Sequence, residues 1–149
     1  MNTESVLQRL VYAVTRVKPK RQCYGQTMAG QTLLLYPEGW HISKSHSGYR
    51  EVAVVSRRPV GVDIEQVRPV HPALARRVFT EDERLSVERS KDPDREYTRL
   101  WTVRESFAKC TGEGLRGVKA YAEKPLPFGY VWRSEYKDGY VITVCREKM

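Results

Sequence analysis

Val60-Gly61-Val62-Asp63-Ile64-Glu65 is the stretch on which the fold of this chain turns. Aliphatic residues at 60, 62 and 64 alternate with Gly61, Asp63 and Glu65. That period of two predicts a strand with both acids on one face and the three aliphatics on the other. A second β-branched run, residues 51–56, precedes it across Arg57-Arg58-Pro59, the pattern of a hairpin. Downstream the period changes. Residues 72–79 read as a short helix. Thr80-Glu81-Asp82-Glu83 is a capping box that opens a second helix to about residue 90. Asp92 caps a third with Pro93 at its first position, buried along Tyr97, Leu100, Trp101 and Ala108 and stopped by Gly112 and Gly114. Residues 129–136 and 140–146 flank Lys137-Asp138-Gly139, a second hairpin signal.

Before the deciding stretch, Val6, Leu7, Leu10, Val14 and Val17 lie at helical spacing over residues 3–17. Thr3 is the expected N-cap and Lys18-Pro19 the stop. Residues 32–36 and 40–43 read as extended. Strands, then clustered helices, then strands predict an α+β fold: a mainly antiparallel sheet with helices packed on one side.

A chain of 149 residues with 40% hydrophobic and 30% charged residues predicts one compact domain, 1–149. No run of about 18 apolar residues is present, so no membrane-spanning helix is expected. The first ten residues lack the basic start and apolar middle of a secretory signal, and the expected location is the cytoplasm. Cys23, Cys110 and Cys145 have neither the number nor the spacing of a disulfide framework or a CxxC metal site. The net charge of +8 is uneven: residues 1–62 carry 9 basic and 3 acidic side chains. A basic first segment suits an anionic partner. A nucleic-acid module is disfavoured, since there is no zinc pattern, RNP-like strand or convincing recognition helix.

Three elements carry chemistry. Asp63 and Glu65, at i and i+2 of a strand, hold their Cα atoms roughly 6.5–7 Å apart. Such carboxylates form a solvated face, pair with arginines, or share a divalent metal. In Trp101-Thr102-Val103-Arg104-Glu105-Ser106-Phe107-Ala108-Lys109, Glu105 and Lys109 are i,i+4 neighbours on a helix, open to a surface ion pair or a site role. Ser43-Lys44-Ser45-His46-Ser47-Gly48 reads as a polar loop after a strand. It would cap local backbone or bind an anion.

Taken in order, Ser45-His46-Ser47, then Gly61-Val62-Asp63-Ile64-Glu65, then Trp101-Thr102-x-Arg104-Glu105-Ser106-Phe107-x-Lys109, then Gly112-x-Gly114-Leu115 resemble a 4′-phosphopantetheinyl transferase of the surfactin-synthetase-activating type. That family carries SHS, G[IV]DIE, W[ST]xKESxxK and GxGL, and the resemblance runs from about residue 40 to 146. Two departures stand out. Arg104 replaces the family lysine, and only 62 residues precede Asp63. The resemblance therefore implies a reduced N-terminal lobe over 1–59 and a complete C-terminal lobe over 60–149.

The resemblance also implies an activity, that of a holo-[acyl-carrier-protein] synthase. The 4′-phosphopantetheine arm of coenzyme A would pass to a serine of an acidic apo acyl or peptidyl carrier protein, releasing adenosine 3′,5′-bisphosphate. By the same resemblance Asp63, Glu65 and Glu105 would hold Mg²⁺ (or Mn²⁺), with Asp63 against the coenzyme pyrophosphate. Ser45 and His46 would contact the 3′-phosphate. Lys109 would contact the phosphate under attack, and Glu105 would help deprotonate the serine. A monomer is expected, with neither nucleic acid nor membrane as partner. The alternative is a non-catalytic coenzyme A or carrier-binding protein of the same fold.

Overall fold

The structure, a computed structural model, describes residues 4–149, and of residues 115–116 the backbone alone. Thr3 and the Leu115 side chain of the fourth motif lie outside the described residues. The elements run α1 (Val6–Thr15), β1 (Cys23–Gln26), β2 (Thr32–Tyr36), β3 (His41–Ser47), β4 (Arg50–Ser56), β5 (Val60–Gln66), α2 (Pro72–Val78), α3 (Glu81–Arg89), α4 (Pro93–Thr111), α5 (Leu115–Ala120), β6 (Tyr130–Lys137) and β7 (Tyr140–Glu147).

The architecture is α+β with antiparallel strands, as expected, but the strands form three sheets rather than one. These are the pairs β1–β2 and β3–β4 and the three-stranded sheet β5-β7-β6. The hairpin expected between residues 51–56 and 60–65 does not form. β4 turns back on β3 through Gly48-Tyr49, whereas β5 pairs with β7 from the far end of the chain. Burial overrides local turn chemistry here. Val60, Gly61, Val62, Asp63 and Ile64 are all buried, which demands cover on both faces and is met by distant elements.

Helix caps follow the sequence closely. Thr80 and Glu83 close their capping box, Asp92 caps α4 through the Arg95 N–H, and Gly112 ends α4 with φ +80°. α1 is capped by Ser5, which exchanges hydrogen bonds with Gln8, and it ends at Arg16 in the left-handed region, before Lys18-Pro19. In the closing hairpin Lys137 pairs with Tyr140, so Asp138 (φ +52°) and Gly139 (φ +82°) are a two-residue turn. Two positive φ values match the right-handed twist of the strands they join. β1 and α5 have no sequence signal that sets them apart.

Two packing layers position the site. α1 lays Leu7 and Val11 against Leu34, Ile42, Ala53 and Val55, on one face of β3–β4. α4 crosses β5 and β7 with Phe107 and Cys110 against Cys145, while its other side joins α2 and α3 around Phe79, Tyr97 and Leu100. Phe107 meets Tyr121 and Tyr130 edge-on, with ring centroids 5.1 and 5.0 Å away.

The two layers are spliced by side chains. Ser43, Ser45 and Ser47 of β3 accept the main-chain N–H groups of Val62, Ile64 and Gln66 at 3.0, 3.1 and 3.0 Å. Each serine thus satisfies a donor on the edge of β5 that β7 does not cover, where a neighbouring strand would normally offer a carbonyl. Ser45-His46-Ser47 is therefore strand, not the loop expected from its polarity. Its hydroxyls take the place of a sheet ladder.

Candidate active site

Three elements converge at the splice: β3 with Lys44, Ser45 and His46, β5 with Asp63 and Glu65, and α4 with Glu105 and Lys109. Period-two geometry turns Asp63 toward α4, the same face as Gly61. Lys109 reaches across from α4. Its Nζ donates to the Val62 carbonyl (3.0 Å), the Lys44 carbonyl (3.3 Å) and Asp63 Oδ1 (3.3 Å). The i,i+4 spacing leaves open a Glu105–Lys109 surface pair. Lys109 instead pairs with Asp63, whose side chain is 6% exposed. Asp63 Oδ1 also accepts the Ser45 hydroxyl at 3.0 Å, while the buried Oδ2 has no partner among the described residues.

The acids sit in a shared field. Burial pushes Asp63 above the usual carboxylate range, against the pull of Lys109 and the Ser45 hydrogen bond. Burial and then the charge of Asp63 raise Glu65. Burial, followed by the charges of Asp63 and Glu65, raises Glu105 to about 7. Arg68, which no sequence motif singles out, partly offsets this charge on all three and lies 3.7 Å from Glu65. It sits beside Glu65 at i,i+3, just past the end of β5, and the placement of α4 over β5 brings Glu105 into the same field.

Two cavities meet at Lys44 and Lys109. One, of about 500 Å³, lies between the β1–β2 turn, Trp40 and the end of α4 at Gly112. The other, of about 370 Å³, is lined by the first turn of α1 and by Ser45, His46, Asp63 and Lys109. Glu65 and Glu105 line neither. The basic residues between Arg16 and Arg21 also line neither. Arg104 points away from the site altogether. It is 1% exposed and binds Glu83 of α3 and the carbonyls of Tyr121 (2.8 Å) and Lys124 (3.0 Å).

Among the described residues no three His, Cys, Asp or Glu side chains are drawn together into a ready metal cage. The donor chemistry nonetheless fits a hard cation. Three carboxylates crowd one field, each held above its usual range, and one buried carboxylate oxygen is unpartnered.

Glu105 makes the strain measurable. A carboxyl near 7 in the folded chain and near 4.5 unfolded binds its proton more tightly when folded. Its contribution to stability is intact below 4.5, falls as pH rises toward 7 and is flat above. Glu105→Gln should therefore stabilise the metal-free protein at pH 8 and leave it unchanged at pH 4. The gain is up to about 3 kcal/mol, less the part that water screens. Urea midpoints at the two pH values check this; equal midpoints at pH 8 would refute it.

Comparison with known proteins places these residues in a family. A model of the 4′-phosphopantetheinyl transferase superfamily matches residues 59–145, the span that carries Asp63, Glu65, Glu105 and Lys109. The chain is 27% identical over 114 residues to the 4′-phosphopantetheinyl transferase psf-1 of Bacillus pumilus, covering 75% of this chain and 49% of that protein. It is 35% identical over 77 residues to the 4′-phosphopantetheinyl transferase Sfp of Bacillus subtilis strain 168, covering 50% of this chain and 34% of the relative. With gsp of Aneurinibacillus migulanus the identity is 31% over 77 residues, again half of this chain and 32% of the relative. The chain thus spans 32% to 49% of the length of these curated relatives. With more than half of its residues matched and the motif side chains gathered between β3, β5 and α4, the chain belongs to the 4′-phosphopantetheinyl transferase superfamily.

Proposed function

We propose that this chain moves the 4′-phosphopantetheine arm of coenzyme A onto a serine of an apo acyl or peptidyl carrier protein, releasing adenosine 3′,5′-bisphosphate. One observation carries the reading. Lys109 bridges β3 and β5 where two cavities meet and pairs with a buried Asp63 that keeps one oxygen free, and Glu105 lies in the field of that acid. In this reading residues 1–59 belong to a first lobe and residues 60–149 to the second, within one compact domain. The serine splice between β3 and β5 supports assembly of the site within a single copy, hence a monomer.

Asp63, Glu65 and Glu105 would hold Mg²⁺ or Mn²⁺. Bound there, the cation would neutralise diphosphate charge and stabilise the departing bisphosphate. His46 and Lys44 border the smaller cavity and suit the 3′-phosphate. Lys109 stabilises charge that gathers on the phosphoryl oxygens during attack. Glu105 accepts the serine proton as the serine oxygen bonds to the pantetheine-bearing phosphorus and the diphosphate P–O bond breaks. The basic first segment complements an acidic carrier and speeds encounter in a salt-dependent way. No described helix is long and apolar enough to cross a membrane.

The test is mass spectrometry of a panel of apo-carriers after incubation with this chain, coenzyme A and Mg²⁺. The expected result is one added arm per carrier. Asp63→Asn and Glu105→Gln should each slow transfer about 10²-fold while staying folded. Retention of full rate in both would overturn the residue roles. The Lys109–Asp63 ion pair, which balances the acid without a cation, favours one rival: a protein that binds coenzyme A or a carrier without transfer. Tight coenzyme binding by calorimetry, with no carrier modified across the panel, would select it.

A further inference from the structure

We propose that Ser45 is a positioning residue: held by the Ile64 N–H, its hydroxyl engages one oxygen of Asp63 and leaves the other for a divalent cation. The inference rests on the metal role proposed above for Asp63.

A serine hydroxyl has one proton and two lone pairs. Ser45 accepts from Ile64 at 3.1 Å and spends its proton on Asp63 Oδ1 at 3.0 Å. Lys109 donates to that same oxygen at 3.3 Å. Oδ1 is thereby engaged twice while the buried Oδ2 has no partner among the described residues. The carboxylate is pinned in orientation and presents a single vacant oxygen. Ser43 and Ser47 make the same contact with β5 at 3.0 Å each, yet neither is within hydrogen-bond distance of a carboxylate among the described residues. The three serines share one structural task, and only Ser45 has a second. This differs from the role implied by the family resemblance, a contact to the 3′-phosphate. With its proton committed to Asp63, the hydroxyl has no other to donate.

The splice supplies its own control. Mn²⁺ alone is titrated into the full chain, its Ser45→Ala, Ser47→Ala and Ser45→Thr variants, and the urea midpoint of each is measured. Ser45→Ala and Ser47→Ala should lower the midpoint by similar amounts, since each loses one splice hydrogen bond. Partners that orient a metal-ligating group typically change affinity about 10–100-fold. Ser45→Ala should therefore weaken Mn²⁺ binding about tenfold or more, Ser47→Ala should leave it nearly unchanged, and Ser45→Thr should restore it. If Ser45→Ala does not fold, Ser45→Cys, of similar size and a weak donor, should show the same loss. Equal Mn²⁺ affinity in the Ser45 and Ser47 variants overturns the positioning role alone. A parent chain that does not bind Mn²⁺ overturns the metal reading of Asp63, and this inference with it.

Discussion

Gly61→Ala is expected to destabilise this chain by about 3 kcal/mol or more, at or above the upper end of ordinary overpacking. A Cβ built at Gly61 would lie 2.0 Å from the Ser106 carbonyl oxygen and 2.6 Å from the Cys110 amide nitrogen. Both are backbone atoms of α4, so no side-chain rotation relieves the clash; the helix itself must move. Gly61 is thus a point where β5 and α4 touch backbone to backbone. Glu105 and Lys109 flank the atoms that would be displaced. Molecules that stay folded should therefore also lose the Lys109–Asp63 contact. Urea unfolding against the parent chain is the measurement. A loss below about 1 kcal/mol would mean that α4 is free to lift from β5, and that the site is not built to fixed spacing.

Arg104→Ala should cost about 3–5 kcal/mol, the range for removing one partner of a buried ion pair. The guanidinium ties Glu83 of α3 to the carbonyls of Tyr121 and Lys124, so one side chain holds α3, α4 and the segment after α5 together. Glu83 also accepts the Thr80 N–H in the capping box of α3, so its loss of charge compensation reaches the start of that helix. Arg104→Lys should cost less but remain well below the parent in stability, because an ammonium cannot reproduce the planar fork. Adjacent residues of a helix differ by about 100° in direction. Glu105 faces the acids of β5, whereas Arg104 faces α3. A folded Arg104→Lys protein should accordingly keep its Mn²⁺ affinity. A marked loss of Mn²⁺ binding at unchanged stability would place Arg104 in the site after all.

Much of the fold is legible in the sequence. The Thr80 capping box, the Asp92-Pro93 helix start, the closing hairpin and the alternation through Val60–Gln66 are local features, governed by residues only a few positions apart. For that reason sequence and structure agree on them. The hairpin expected between residues 51–56 and 60–65 fails because strand pairing is decided by distant burial. Ser45-His46-Ser47 has the polarity of a solvated loop, and nothing near it in the chain marks it as strand. Ser45 and Ser47 each cap a donor 19 residues away, a partner that local pattern does not reveal.

Residue type and spacing, carried along the chain, are enough for the α+β class, the family resemblance and the identity of the acids and the lysine. Packing in three dimensions adds the pairings: Lys109 with Asp63 rather than Glu105, and Arg104 with α3 rather than the site. Those choices depend on how α4 lies across β5, a distance set by Gly61 and by contacts between segments far apart in sequence.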